Sequence, residues 1–134
     1  MRRSTYITHK PWGTEEVWAS THHSVGKILC INRNQRLSRK YHRVKDHVVR
    51  VLEGILSIEV GPLQEGGPVE TISVFPGEAY HVSAMTIHRF CAGSEDVRLL
   101  ELSHSGPSDS VRLEDDYRRI DPDDIPQPVP QSDK

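Results

Sequence analysis

Between residues 25 and 102 the chain repeats one pattern: short runs rich in Val, Ile and Leu, each closed by turn-forming residues. The runs are VGKILCI (25–31), HVVRVL (47–52), ILSIEV (55–60), VETISVF (69–75), TIHRF (86–90) and VRLLEL (97–102). Between them stand Glu53-Gly54, Gly61-Pro62, Gly66-Gly67-Pro68, Pro76-Gly77 and Ala92-Gly93-Ser94. β-branched residues with period-two alternation and Gly/Pro punctuation predict strands. Glu53-Gly54, set between two alternating runs, predicts a two-residue hairpin. Many short strands at even spacing predict an antiparallel sandwich or barrel. Helical periodicity is absent except over 109–119, where a short helix or turn is expected. The end, DPDDIPQPVPQSDK (121–134), is acidic and proline-rich without a core-forming pattern and reads as a mobile tail. A single domain over 1–121 followed by that tail is the expected organisation.

Composition narrows the classes. Lys and Arg total 17 against 19 Asp and Glu, a formal charge of −2, so no basic surface calls for a nucleic-acid partner. No apolar run approaches the ~18 residues of a membrane span. The start, MRRSTYITHKPWG, has basic residues with no apolar stretch after them, so a secretory leader is not expected and a cytoplasmic location is. Cys30 and Cys91 then read as reduced, buried thiols.

The candidate chemistry lies in LSRKYHRVKDHVVRVLEG (37–54). His42 and His47 are an odd number of residues apart, which puts them on opposite faces of any continuous strand. The apolar phase of Val49 and Val51 carries His47 inward. The polar stretch RVKD (43–46) suits a turn, and a chain that turns there brings His42 to face His47 inside. His88 shares its strand face with Thr86 and Phe90. Three imidazoles on neighbouring strands would supply a transition-metal site with open positions; the alternative is three separately hydrogen-bonded histidines. His9, His22, His23 and His104 read as loop or surface residues, and His81 fits either class. Lys27 points inward if it follows Leu29 and Ile31, and outward if Ile28 and Cys30 are the buried phase.

The same stretch resembles the first motif of the cupin domain of type II phosphomannose (mannose-6-phosphate) isomerases, approximately LSLQxHxxRxEHWxVVxG, without a gap over 37–54. GEAYHVSAMTIHRF (77–90) is similar to the second motif, KPWG (10–13) to the opening of that domain, and DSVRLEDDYRRID (109–121) to its closing D-x-Y-G-R segment. The resemblance implies a cupin-type double-stranded β-helix (jelly-roll) barrel, all-β, with a turn between His42 and His47 and both facing the interior. It implies His42, His47 and His88 as ligands of a divalent metal such as zinc, nickel, iron or manganese, and a sugar phosphate as substrate. It also implies Lys45, Glu101 and Arg119 as catalytic residues, Lys27, Lys40, Arg89 and Arg112 as substrate-binding residues, and a homodimer. Departures fall at the chemistry. His47 stands where the family has glutamate, Lys40 where it has glutamine and Lys45 where it has arginine, which loses the two-pronged grip on phosphate. Ser83 and Met85 replace a proline and a glycine, and Arg118 replaces the glycine before Arg119. The expected activity is metal-dependent aldose–ketose isomerisation; a dioxygenase-type three-histidine metalloenzyme and a non-catalytic sugar-binding protein are the alternatives.

Overall fold

In the computed structural model, which describes residues 1–64 and 66–119, the chain forms eleven strands. They are β1 (Tyr6–Lys10), β2 (Gly13–Ser20), β3 (Ser24–Ile31), β4 (Arg39–His42), β5 (His47–Glu53), β6 (Leu56–Pro62), β7 (Glu70–Val74), β8 (Ala79–Val82), β9 (Thr86–Ala92), β10 (Val97–His104) and β11 (Ser110–Glu114). A six-stranded sheet runs β1-β2-β3-β10-β5-β8 and a five-stranded sheet runs β11-β4-β9-β6-β7. Every pairing is antiparallel. No helix occurs among the described residues, and therefore none long and apolar enough to cross a membrane. The tail expected over 122–134 lies outside the described residues.

Alternation builds the core as the sequence predicts. Along β5, His47, Val49 and Val51 are buried while Val48 and Arg50 are exposed. Leu29, Ile31, Val49, Val51, Leu56, Ile58, Val82, Phe90, Val97 and Leu99 meet between the sheets in one apolar cluster. Lys27 takes the inward phase with Leu29 and Ile31. Cys30 is half-buried rather than buried, because it occupies the opposite phase of the same strand; Cys91, beside inward Phe90, is half-buried as well.

Two local expectations are corrected. Glu53-Gly54 does not close a hairpin: β5 pairs with β10 and β8, whereas β6 pairs with β7 and β9. The segment is instead a corner at which the chain leaves one sheet for the other. Two alternating runs with a Gly between them look alike in both cases, and only the pairing partners distinguish them. Residues 109–119 are not helical either; β11 fills 110–114, paired to β4, with a turn after it.

The corner explains Gly54. Its φ is +79°, and a Cβ there would lie 2.3 Å from the carbonyl oxygen of Asp96. Gly77 has a similar φ of +88° but open space around it. Gly77→Ala is therefore expected to cost only the left-handed penalty, roughly 1 kcal/mol. Gly54→Ala should cost at least about twice that, because backbone must also move. Urea unfolding of the two variants checks the ordering; equal losses would mean that the Asp96 contact relaxes freely.

Candidate functional site

The site begins at the crossing between β4 and β5. His42 ends a strand of one sheet and His47 opens a strand of the other, so four residues carry the chain across the barrel. Asp109 organises that crossing. Its Oδ2 accepts from the backbone N–H of Val44 at 2.7 Å and of Lys45 at 2.8 Å, and its Oδ1 lies 2.9 Å from Nδ1 of His42. Although burial works against the charge, these donors hold the Asp109 carboxyl well below the usual carboxylate range. On the other side, Asp46 accepts from the N–H of Ala84, and the N–H of Met85 donates to the carbonyl of His42 at 2.7 Å.

The three predicted histidines come together. Ring centroids are 4.1 Å apart for His42 and His47, 5.6 Å for His42 and His88, and 6.3 Å for His47 and His88. Nδ1 of His88 lies 2.9 Å from the carbonyl oxygen of Thr86, which can only accept. That fixes the proton on Nδ1 and leaves the lone pair on Nε2. A proton on Nδ1 of His42, shared with the Asp109 carboxylate, does the same there, and Nε2 of His42 is buried with no partner. Both nitrogens of His47 are buried without a hydrogen bond; Nδ1 stands 3.2 Å from Glu101 Oε2, close enough for charge attraction but poorly aligned. Burial, reinforced by His47, pushes His42 down to about 4, and burial, reinforced by Lys40, pushes His88 down to about 3. Both rings are thus neutral at pH 7.

Those donors have the chemistry of metal ligands: three imidazoles, of which His42 and His88 are neutral with the tautomer set by an oxygen behind them, and buried ring nitrogens on His42 and His47 that no hydrogen bond satisfies. As they stand, no three His, Cys, Asp or Glu side chains among the described residues close on a single point. The set is a cluster with the right donors, not a closed cage.

Beside the histidines lies a cavity of about 160 Å³. Lys10, Lys27, Lys40, Arg112 and Arg119 line it, against two carboxylates, Glu15 and Glu101. Lys27 is partly neutralised by Glu15 at 3.3 Å. Burial alone would raise the Glu101 carboxyl; proximity to His47, then to Lys27 and Lys40, outweighs it and brings the group down to about 2. Burial also brings Lys40 down to about 8, with Arg112 and Arg119 adding to the effect and Glu101 opposing it. Arg119 is aimed by Asp115, which receives its backbone N–H, Nε and Nη2.

Other predicted residues are placed elsewhere. Lys45 lines an adjoining cavity of about 190 Å³ on the far side of His42 and His47, where its Nζ donates to the carbonyl of Gly106. Arg89 shares β9 with His88 but takes the opposite phase. Its Nε donates to the carbonyl of Leu37 and its Nη2 to Asp116, outside the cavity. His81 is exposed, 3.7 Å from Asp46. His9, His22, His23 and His104 are exposed, as expected. Residue-by-residue reading did not single out Lys10, Glu15, Asp109 or Asp115 as site residues. Lys10 and Asp109 open two of the resembling segments, which was their only signal.

Met85 and Arg118, which stand where the resembling family has glycine, have φ of +63° and +56°. At both positions the backbone lies in the left-handed region that glycine favours. At Met85 that loop carries the N–H that holds His42.

No protein-family model and no curated protein matches the chain. Solved structures do match it in fold. The capsular polysaccharide assembling protein CapF from Staphylococcus aureus superposes with a TM-score of 0.74 at 12% identity over 84% of this chain. KdgF from Halomonas sp. superposes with a TM-score of 0.64 at 19% identity, over 76% of this chain and 89% of that one. Oxalate decarboxylase from Lactobacillus farciminis, in a formate complex, gives 0.68 at 12% identity over 81% of this chain. The chain spans about a third of the length of CapF and of oxalate decarboxylase. Its fold is the all-β cupin-type jelly roll.

Exclusion of protons from the buried rings has a measurable consequence. In the unfolded chain a histidine binds a proton near pH 6.5, but His42 and His88 do so only near 4 and 3 when folded. Between those values the unfolded state holds more protons, so stability falls as pH falls, by up to about 1.4 kcal/mol per unit for each ring. Glu101, depressed from 4.5 to about 2, adds the same sign below pH 4.5. Chelator-treated protein should therefore show a melting temperature that drops steadily from pH 7 to pH 4, less steeply in His88→Asn. A flat profile would mean that the rings are protonated in place.

Proposed function

We propose that the chain is a metal-dependent isomerase of a small sugar phosphate, interconverting aldose and ketose. The observation that carries this reading is Lys40: an amine brought down to about 8 inside a cationic cavity, next to the histidine cluster. Aldose–ketose exchange moves one proton between adjacent carbons, and a group that titrates near neutrality serves best as its carrier. The neutral Lys40 amine takes the proton from one carbon and the resulting ammonium returns it to the next. Glu101, held at about 2, is too weak a base for that step; it neutralises the charge that develops on Lys40. Arg112, Arg119 and Lys10 supply positive charge for the phosphate, with Asp115 fixing the aim of Arg119. The cavity is smaller than the usual range for drug-sized ligands, which suits a compact occupant.

His42, His47 and His88 would hold the metal, zinc, nickel, iron or manganese, with Asp109 and the Thr86 carbonyl orienting the first and last rings. When bound, such an ion polarises the substrate's carbonyl oxygen as a Lewis acid. The saccharide class also draws support from the fold likeness to a capsular polysaccharide assembling protein. A second reading rests on the same three-histidine set, which carries no carboxylate at the family's glutamate position. In that reading the cluster binds a small acid for metal-dependent oxidation, and the fold likeness to an oxalate oxidase in complex with glycolate points the same way.

The deciding experiment is a coupled mannose-6-phosphate to fructose-6-phosphate assay on tag-free protein loaded separately with each metal. Turnover should rise with pH through about 8 as Lys40 loses its proton. Lys40→Met should lower kcat by at least about a hundredfold while metal content stays unchanged. His42→Ala, His47→Ala or His88→Ala should instead empty the metal site, whereas His22→Ala should not. Sugar-phosphate binding without turnover by any metal form would leave a binding protein, and oxygen consumption with small acids would select the second reading.

A further inference from the structure

The interior cluster uses three of the chain's eight histidines. Four of the other five collect at one end of the outer face of the six-stranded sheet, and strand register puts them there. His104, the last residue of β10, pairs with Ser24, the first of β3, and shares its phase with exposed Leu102. His81 pairs with exposed Val48. Asp46 immediately precedes inward His47 and so turns to the outside. The turn before β3 supplies His22 and His23. Ser105 ties that turn to the end of β10: its N–H donates to the carbonyl of His23 and its hydroxyl to that of His22.

A pocket of about 200 Å³ opens between these elements, lined by His23, Asp46 and His104 together with apolar Val48 and Leu102. No hydrogen bond or ion pair holds the ring of His23 or of His104 among the described residues. Asp46 is steadied from behind: its Oδ1 accepts from the N–H of Ala84 at 2.9 Å, and its Oδ2 lies 3.7 Å from Nε2 of His81. Ligating carboxylates ordinarily have such support. Two imidazoles and a carboxylate are a donor set for a borderline divalent ion, with a position left for water. Magnesium or calcium would need more oxygen donors than the pocket offers. The three side chains do not close on one point as they stand. Both rings are exposed, so an ion can draw them in by changes of rotamer.

We propose that His23, Asp46 and His104 form a second, surface site for a divalent transition ion such as zinc, on the opposite face of the sheet from the interior histidines. The site depends neither on the sugar-phosphate reading nor on a metal at the interior cluster. It does touch the same corner of the fold. Asp46 ends the crossing from β4 to β5 and holds Ala84, whose neighbour Met85 donates its N–H to the carbonyl of His42. An ion on Asp46 would tie that crossing to the ends of β3 and β10 and stiffen the mounting of His42.

Zinc titration of the full chain by calorimetry, with metal content measured after gel filtration, tests this. In His88→Ala, which breaks the interior set, one zinc per chain should still bind with a dissociation constant of about micromolar, and magnesium should not bind. Adding His23→Ala and His104→Ala together should weaken that zinc by about a hundredfold or more, and Asp46→Asn, which can still accept from Ala84, by about tenfold or more. In the parent chain the same pair of histidine substitutions should remove one zinc and leave any interior metal in place. His9→Ala should change nothing. Zinc should raise the melting temperature of His88→Ala and lose that effect once His23 and His104 are replaced. Circular dichroism of the surface variants should match the chain from which each is made. Zinc content indifferent to the loss of both His23 and His104, in the parent and in His88→Ala alike, would overturn the proposal. So would magnesium binding as tightly as zinc, which would reduce the pocket to a site of general charge attraction.

Discussion

The carboxylate of Asp109 is the contact on which the rest of the site depends. A jelly roll requires the chain to pass repeatedly from one sheet to the other, and each passage leaves backbone donors without ladder partners. Between His42 and His47 those donors are the N–H groups of Val44 and Lys45, and Asp109 takes both. The same carboxylate orients the ring of His42. One side chain from the loop before β11 thereby closes the corner, sets a tautomer and brings two histidines from different sheets within 4.1 Å, centroid to centroid.

Interior charge is the second organising feature. Hydrophobic burial fills one part of the barrel with Leu, Ile and Val, while the part nearest the histidines holds five cations and two carboxylates. Such a group can survive only if its charge is paired or its pKa moves. Here both happen: Glu15 pairs with Lys27, Asp115 with Arg119, and Lys40 shifts toward neutrality. The excess of positive charge is what an anionic ligand would relieve.

Outside the cavity a second ionic assembly holds the segment that supplies Arg119. Asp116 receives two bonds from Arg36 and one from Arg89, and Tyr117 donates to Gln35. Arg89, adjacent to a candidate metal ligand in sequence, serves here as a buried fastener for the turn after β11. The left-handed backbone at Met85 and Arg118 belongs to the same theme: both residues flank groups that must be aimed, the N–H that holds His42 and the guanidinium of Arg119. Surrounding contacts hold conformations that the side chains themselves disfavour.

The sequence by itself determined the strand content, the inward phase of His47, Val49 and Val51, and the histidine candidates. These follow from period-two alternation and residue type, which are local properties. Its motifs also carried the jelly-roll expectation, through resemblance. Tertiary structure alone decided which runs pair. Glu53-Gly54 has the composition of a hairpin and the geometry of a sheet-switching corner, because a partner strand some 45 residues away competes for the same backbone groups. Lys27 fitted either phase until Leu29 and Ile31 were seen inside. Arg89 and Lys45 had the charge of ligand-binding residues, yet carbonyl and carboxylate acceptors from distant strands and loops hold them in other places. Charge is written in the residue; what it faces is set by residues far away in the chain.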